Sequence, residues 1–189
     1  MIQKIHLVKD EEEINRLYEF IKKFPLNYPN YSSWLEKCKR EIELGYKKAF
    51  VCEYEGKIVA NLIFQPHKED PYLLELKNSR VEGDYRRRKI FSCMIKGIIK
   101  YANENKFKKI ITDTHSNNEE VIKTLKNLGF VIESHENLYD SKIETVLVKD
   151  LTIKPGRLDL LLMDVELKLS KILESLLYKL KFVFILKNK

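Results

Sequence analysis

The chain has 189 residues, of which 44% are hydrophobic and 33% charged. That apolar fraction excludes a disordered polar chain, and no apolar run approaches the ~20 residues a membrane span needs. Lys and Arg total 35 against 28 Asp and Glu, a net charge of +7. Such a balance favours polyanionic partners: a phosphorylated cofactor, nucleic acid or an acidic membrane surface.

Cys38, Cys52 and Cys93 are widely spaced and form no C-x-x-C pair. This is the pattern of reduced thiols in a cytoplasmic setting, not of a disulfide framework. The opening MIQKIHLVKDEEE carries no apolar h-region, so no signal peptide is read there. The 4 histidines are scattered, and no metal site is expected.

Ile2–Val8 reads as a strand. Asp10 caps a helix, with Glu13 completing a capping box and Ile14, Leu17, Tyr18 and Ile21 as its apolar stripe. Pro25 ends that helix. Ser33 and Glu36 suggest a second capping box, opening a helix that runs to Gly45. Lys48–Tyr54 and Lys57–Phe64 form a hairpin around Glu55-Gly56. Tyr72–Val81 is a strand that runs into the basic turn Arg86-Arg87-Arg88-Lys89. The helix beyond it carries Ile90, Met94, Ile95, Ile98 and Ala102 on one face.

Lys109–Thr114 is a strand rich in Ile and Thr. Ser116 or Asn117 caps the next helix, whose apolar positions are Val121, Ile122, Leu125 and Leu128, with Gly129 closing it. Val131–Glu133 and Ile143–Val148 complete a mixed α/β domain over residues 1–153. After Pro155-Gly156 the chain changes character. Leu158–Leu180 reads as an amphipathic helix within an extension, 154–189. Its broad leucine face points to burial, as a homodimer contact or against the parent domain. The lysine-rich tail also suits an anionic membrane surface.

A strand, a basic turn and a helix N-terminus in succession place backbone N–H groups and cations where a phosphate can sit. In Val81-Glu82-Gly83-Asp84-Tyr85-Arg86-Arg87-Arg88-Lys89-Ile90-Phe91, the residues Val81, Tyr85 and Arg86 match the pyrophosphate-loop signature of the GCN5-related N-acetyltransferase (GNAT) superfamily. Asn118, Gly129 and Phe130 match the family's second segment. The chain resembles that superfamily over roughly residues 2–151. The resemblance implies a mostly antiparallel central sheet flanked by helices, acetyl-CoA as co-substrate and an amine acceptor, small-molecule or peptide. It implies cofactor contacts at Arg80 and Val81 on the fourth strand, at Arg86, Arg87, Arg88, Lys89, Ile90 and Phe91 in the loop, and at Asn118. Arg87, Lys89 and Phe91 stand where the family has glycine, and Leu125 stands where many members carry an acid tyrosine.

Acetyl transfer needs a group to take the amine proton and a donor to polarise the thioester carbonyl. Glu75 is the first choice for the base. It is flanked by Leu73, Leu74 and Leu76, and its even spacing from Val81 puts both on one face of the strand. The histone-acetyltransferase branch places its base glutamate at the matching position. His115 ends the fifth strand, and Tyr139 is a substitute for the missing tyrosine; both are candidate catalytic groups. His67 is a candidate for the acceptor site. The rival reading is a non-catalytic acyl-CoA sensor of the same fold. A nucleic-acid role lacks any reading motif or aromatic stacking platform.

Overall fold

The computed structural model describes residues 4–25, 30–137 and 143–153. The chain divides into units Met1–Thr152 and Ile153–Lys189, and the elements below belong to the first. They are β1 (Lys4–Leu7), α1 (Glu11–Lys22), α2 (Tyr31–Glu43), β2 (Lys48–Tyr54), β3 (Lys57–Pro66), β4 (Leu73–Val81), α3 (Ile90–Glu104), β5 (Lys109–His115), α4 (Glu119–Asn127), β6 (Val131–Glu136) and β7 (Glu144–Asp150). The strands form a seven-stranded sheet in the order β1-β2-β3-β4-β5-β7-β6. It is antiparallel except where β4 meets β5. Tyr139 and the helix expected over Leu158–Leu180 lie outside the described residues. Among the described residues, no helix is long and apolar enough to cross a membrane.

Local chemistry explains most element boundaries. Asp10 Oδ1 accepts from Glu13 N at 2.9 Å, and Glu13 Oε2 accepts from Lys9 N at 2.8 Å, so the box closes one residue early. The second capping box does not form. The α2 helix begins at Tyr31, behind a left-handed Asn30. Tyr31 stacks on Trp34 at 5.5 Å, and Glu36 accepts from Tyr18 Oη instead of serving a cap. The first described turn of α4 follows Asn118, not Ser116 or Asn117. Gly129 holds φ +83°, a left-handed conformation that calls for glycine, while the nearby Lys149 Nζ is the tip of a flexible side chain that could move aside.

Two cores lie on opposite faces of the sheet. On one face α3 and α4 cover Leu62, Phe64, Leu74, Leu76, Ile110 and Leu147. On the other, Leu17, Phe20 and Ile21 of α1 and Leu35 and Cys38 of α2 cover Ala49, Val51, Ile58 and Ile63. Cross-strand partners share a face, so the register assigns every strand residue to one core or the other.

That register contains two irregularities that matter for function. First, β4 pairs with β5 only at Leu73↔Lys109, Leu74↔Ile110 and Glu75↔Ile111. Beyond Glu75 the two strands part, while β4 continues against β3 as far as Val81 and β5 against β7 as far as His115. Second, Ile63 faces Asn78 while Phe64 faces Leu76, so Lys77 is the extra residue of a β-bulge. A bulge shifts side-chain parity by one. Glu75 therefore shares the α1/α2 face with its partner Gln65, whereas Val81, opposite Ala60, packs on the α3 core. The even spacing of Glu75 and Val81 does not put them on one face.

Candidate active site

The cleft between β4 and β5 opens toward the loop that leads into α3. That loop starts with a single 3-10 turn, Gly83–Tyr85. Arg86 and Arg88 are each held. Arg86 Nε donates to Val81 O at 3.2 Å. The Arg88 guanidinium lies 5.1 Å from the Tyr85 ring, which in turn tilts against Tyr54. No side chain caps the N-terminus of α3, which follows Arg86–Lys89 directly in the chain, so no side-chain cap competes for its first-turn N–H groups. The donor set suits a pyrophosphate.

Arg87 and Lys89 both take the left-handed conformation, at φ +59° and +61°. The backbone makes the same turns glycine would make, with side chains attached. Each costs roughly 1–2 kcal/mol in an L-residue, of which glycine's extra freedom in the unfolded chain takes back about 0.5–1 kcal/mol. Arg87→Gly with Lys89→Gly is therefore expected to stabilise the fold by roughly 1–2 kcal/mol, read as a higher Tm. An unchanged or lower Tm counts against strain in this loop.

The other loop positions serve the core more than the cleft. Ile90 is buried and Phe91 packs partly against the α3 core, so each offers its backbone N–H and not its side chain. Asn118 Nδ2 donates to Thr114 Oγ1 at 3.1 Å and makes no capping bond to its own helix. This hydrogen bond ties α4 to the free end of β5. Leu125, at the tyrosine position, is 1% exposed and belongs to the α3/α4 core with Phe130, Ile110 and Leu147.

On the α1/α2 face the cleft is acidic. Glu75 lies at the fork, and its carboxylate accepts from Gln65 Nε2 at 3.0 Å and from Lys77 Nζ. Both oxygens are thus occupied, in a polar setting unlike the apolar one its leucine neighbours suggested. Two residues past the last β4–β5 pair, Asp113 faces the same side. Burial pushes the Asp113 carboxyl above its ordinary value of 3.8; Lys77 opposes the rise, and Glu144 and Glu75 add to it. Asp113 is a carboxyl with a perturbed proton affinity on this face, and burial also pushes the Tyr31 hydroxyl up, against Arg80 and Asn78 of β4. Sequence reading missed Asp113, because a strand aspartate within Thr-Asp-Thr-His looks like any other polar strand position.

Glu144 was also missed. It is 1% exposed and pairs in register with His115. His115 Nδ1 and Glu144 Oε1 approach to 2.6 Å, an ion-pair distance for a protonated imidazole, but without hydrogen-bond alignment. The structure thus gathers Glu75, Lys77, Asp113, His115 and Glu144 on one face. His67 is elsewhere. It follows the far end of β3, where its Nδ1 accepts from Glu69 N at 3.3 Å. Arg80 lies on the α1/α2 face opposite Asn61 and donates to Ser79 O at 2.7 Å. Among the described residues, no His, Cys, Asp and Glu grouping is arranged to hold a metal.

The splayed strands, the bulge and the basic loop can be set beside known proteins. The profile of the Acetyltransferase (GNAT) family matches residues 13–130. The chain belongs to this family. A comparison with curated proteins finds no match. Solved structures share the fold. The ribosomal-protein-S18-alanine N-acetyltransferase of Escherichia coli superposes with a TM-score of 0.66 at 16% identity, over 82% of this chain and 98% of its own. An N-acetyltransferase from Staphylococcus aureus gives 0.63 at 17% identity, over 80% and 99%. A Salmonella typhimurium protein determined with its cofactor acetyl-CoA gives 0.62 at 14% identity, over 82% and 96%.

Proposed function

We propose that this GNAT protein is an N-acetyltransferase that moves the acetyl group of acetyl-CoA directly to an amine. One observation carries the reading. The β4–β5 cleft joins a basic, uncapped helix N-terminus at one end to an acidic face at the other. Arg86, Arg88 and Lys89, with the first-turn N–H groups of α3, would hold the pyrophosphate. The pantetheine arm would run between the parted strands, and the cofactor would supply the activated acetyl thioester. The cleft-side edge of β4, at Val81, would offer a backbone N–H for the thioester carbonyl, because Glu82 N donates to Val59 O on the β3 side and alternate N–H groups point to opposite edges.

Asp113 is the group best placed to take the proton. It lies on the acceptor side of the cleft, and burial raises its proton affinity, the direction a general base needs. Glu75 and Glu144 add negative charge that favours a protonated amine as the incoming acceptor. His115 stands beside Glu144 as a second route for that proton. A covalent acetyl-cysteine route has little support. Burial pushes the thiols of Cys38 and Cys52 up to about 11, and Cys93 lies exposed on α3.

Calorimetry with acetyl-CoA tests the reading. The parent chain should bind, and Arg86→Ala with Arg88→Ala should weaken binding at least tenfold, as expected for two charge-assisted contacts. Residual binding of the double variant should depend less on salt. A parent chain that does not bind acetyl-CoA would falsify the assignment.

A further inference from the structure

Lys77 is the residue that the β4 bulge inserts, next to the point where β4 leaves β5. Its ammonium contacts Glu75 Oε1, and its charge acts across the cleft on Asp113. The side chain is 29% exposed, so the nitrogen is sheltered but not sealed. It therefore stands on the acidic face, beside the carboxylates that would receive an acceptor amine. It offers the chemistry of an acceptor: a primary amine with a proton-accepting carboxylate at hand.

We propose that Lys77 is an internal acceptor, and that the protein acetylates this lysine itself; this rests on the acetyl-CoA reading above. The Lys77 ammonium passes a proton to a carboxylate of the cleft, Asp113 or Glu75. Its nitrogen lone pair attacks the thioester carbonyl carbon, forming the C–N bond while the C–S bond breaks. The second amine proton ends on the coenzyme A sulfur, and the carboxylate proton goes to solvent. The products are Nε-acetyl-Lys77, free coenzyme A and one proton. The modified side chain no longer neutralises Glu75 or offsets Asp113, so the acidic face gains a net negative charge. Self-acetylation thus clears the internal cation from the place a cationic acceptor must occupy.

The test uses the full chain with acetyl-CoA. Acetylated sites are mapped by peptide mass spectrometry over time, and acetyl-CoA binding is measured by calorimetry on the same sample. Lys77 should be acetylated at least tenfold faster than the exposed Lys100. The rate per molecule should not change with protein concentration. Labelling at this position should vanish in Lys77→Arg, slow in Asp113→Asn and fall to the Lys100 rate in denaturant. If acetyl-CoA binds but Lys77 is labelled no faster than Lys100, self-acetylation is overturned and the transferase reading stands. If acetyl-CoA does not bind, both fall together. A rate per molecule that rises with protein concentration also overturns the internal transfer.

Discussion

Asp113→Asn is expected to lower turnover by roughly 10²–10⁴-fold while leaving acetyl-CoA affinity within about twofold of the parent. Asparagine keeps the shape of the side chain and cannot accept the proton. The coenzyme contacts proposed here lie on the other side of the cleft and in the α3 loop, so binding should survive. Parent activity should rise with pH along an acid limb set by Asp113 and displaced upward from that of an ordinary carboxylate, and this limb should vanish in the variant. Glu75, Glu144, Lys77 and His115 all face Asp113 or its neighbours, so the limb belongs to the cluster as well as to one group. Turnover within tenfold of the parent would move the base elsewhere.

The same substitution should stabilise the fold at neutral pH. In the folded state the Asp113 carboxyl titrates above 3.8, mainly because burial disfavours its charge. Well below 3.8 it is protonated in both folded and unfolded chains and costs nothing. As pH rises from 3.8 through the raised value, the folded state holds more proton than the unfolded one, so stability falls. Above that window the loss is complete. The variant carries no charge there, so its Tm should match the parent's at low pH and exceed it at pH 7. A group kept at a cost to stability in the proposed catalytic cleft fits a trade of stability for activity.

Leu125→Ala is the second large effect. Leu125 is 1% exposed in the α3/α4 core, and truncation leaves a cavity. Destabilisation of about 2–5 kcal/mol follows, which for a chain of this size lowers Tm by roughly 2–4 °C per kcal/mol. Leu125→Tyr does not simply restore an acid. It forces a ring and a hydroxyl into a packed site and should cost about 1–3 kcal/mol from overpacking. If the tyrosine variant turned over faster and stayed as stable as the parent, residue 125 would face the cleft and the core assignment would be wrong.

The element order and the main hydrophobic faces were legible in the chain. They rest on local periodicity: Ile90, Met94, Ile95, Ile98 and Ala102 at helical spacing do become the buried face of α3. Val81, Tyr85, Arg86, Asn118, Gly129 and Phe130 carried the family because each marks a local turn, cap or strand end. The left-handed φ of Arg87 and Lys89 was not legible, since glycine, the usual sign of that conformation, is absent and the surrounding fold imposes it.

The acidic face was decided only by tertiary structure. Spacing along β4 gave Glu75 and Val81 a common face, and the bulge at Lys77, set by pairing with β3, separated them. Asp113 and Glu144 carry no local mark of function. They reach the cleft because β5 leaves β4 and keeps its register with β7, which brings His115 against Glu144 across many residues of sequence. By itself the sequence determined which segments could be strands and helices, because propensity and periodicity act over a few residues. Which side chains share the cleft depends on strand register and a single inserted residue, and these follow from long-range packing.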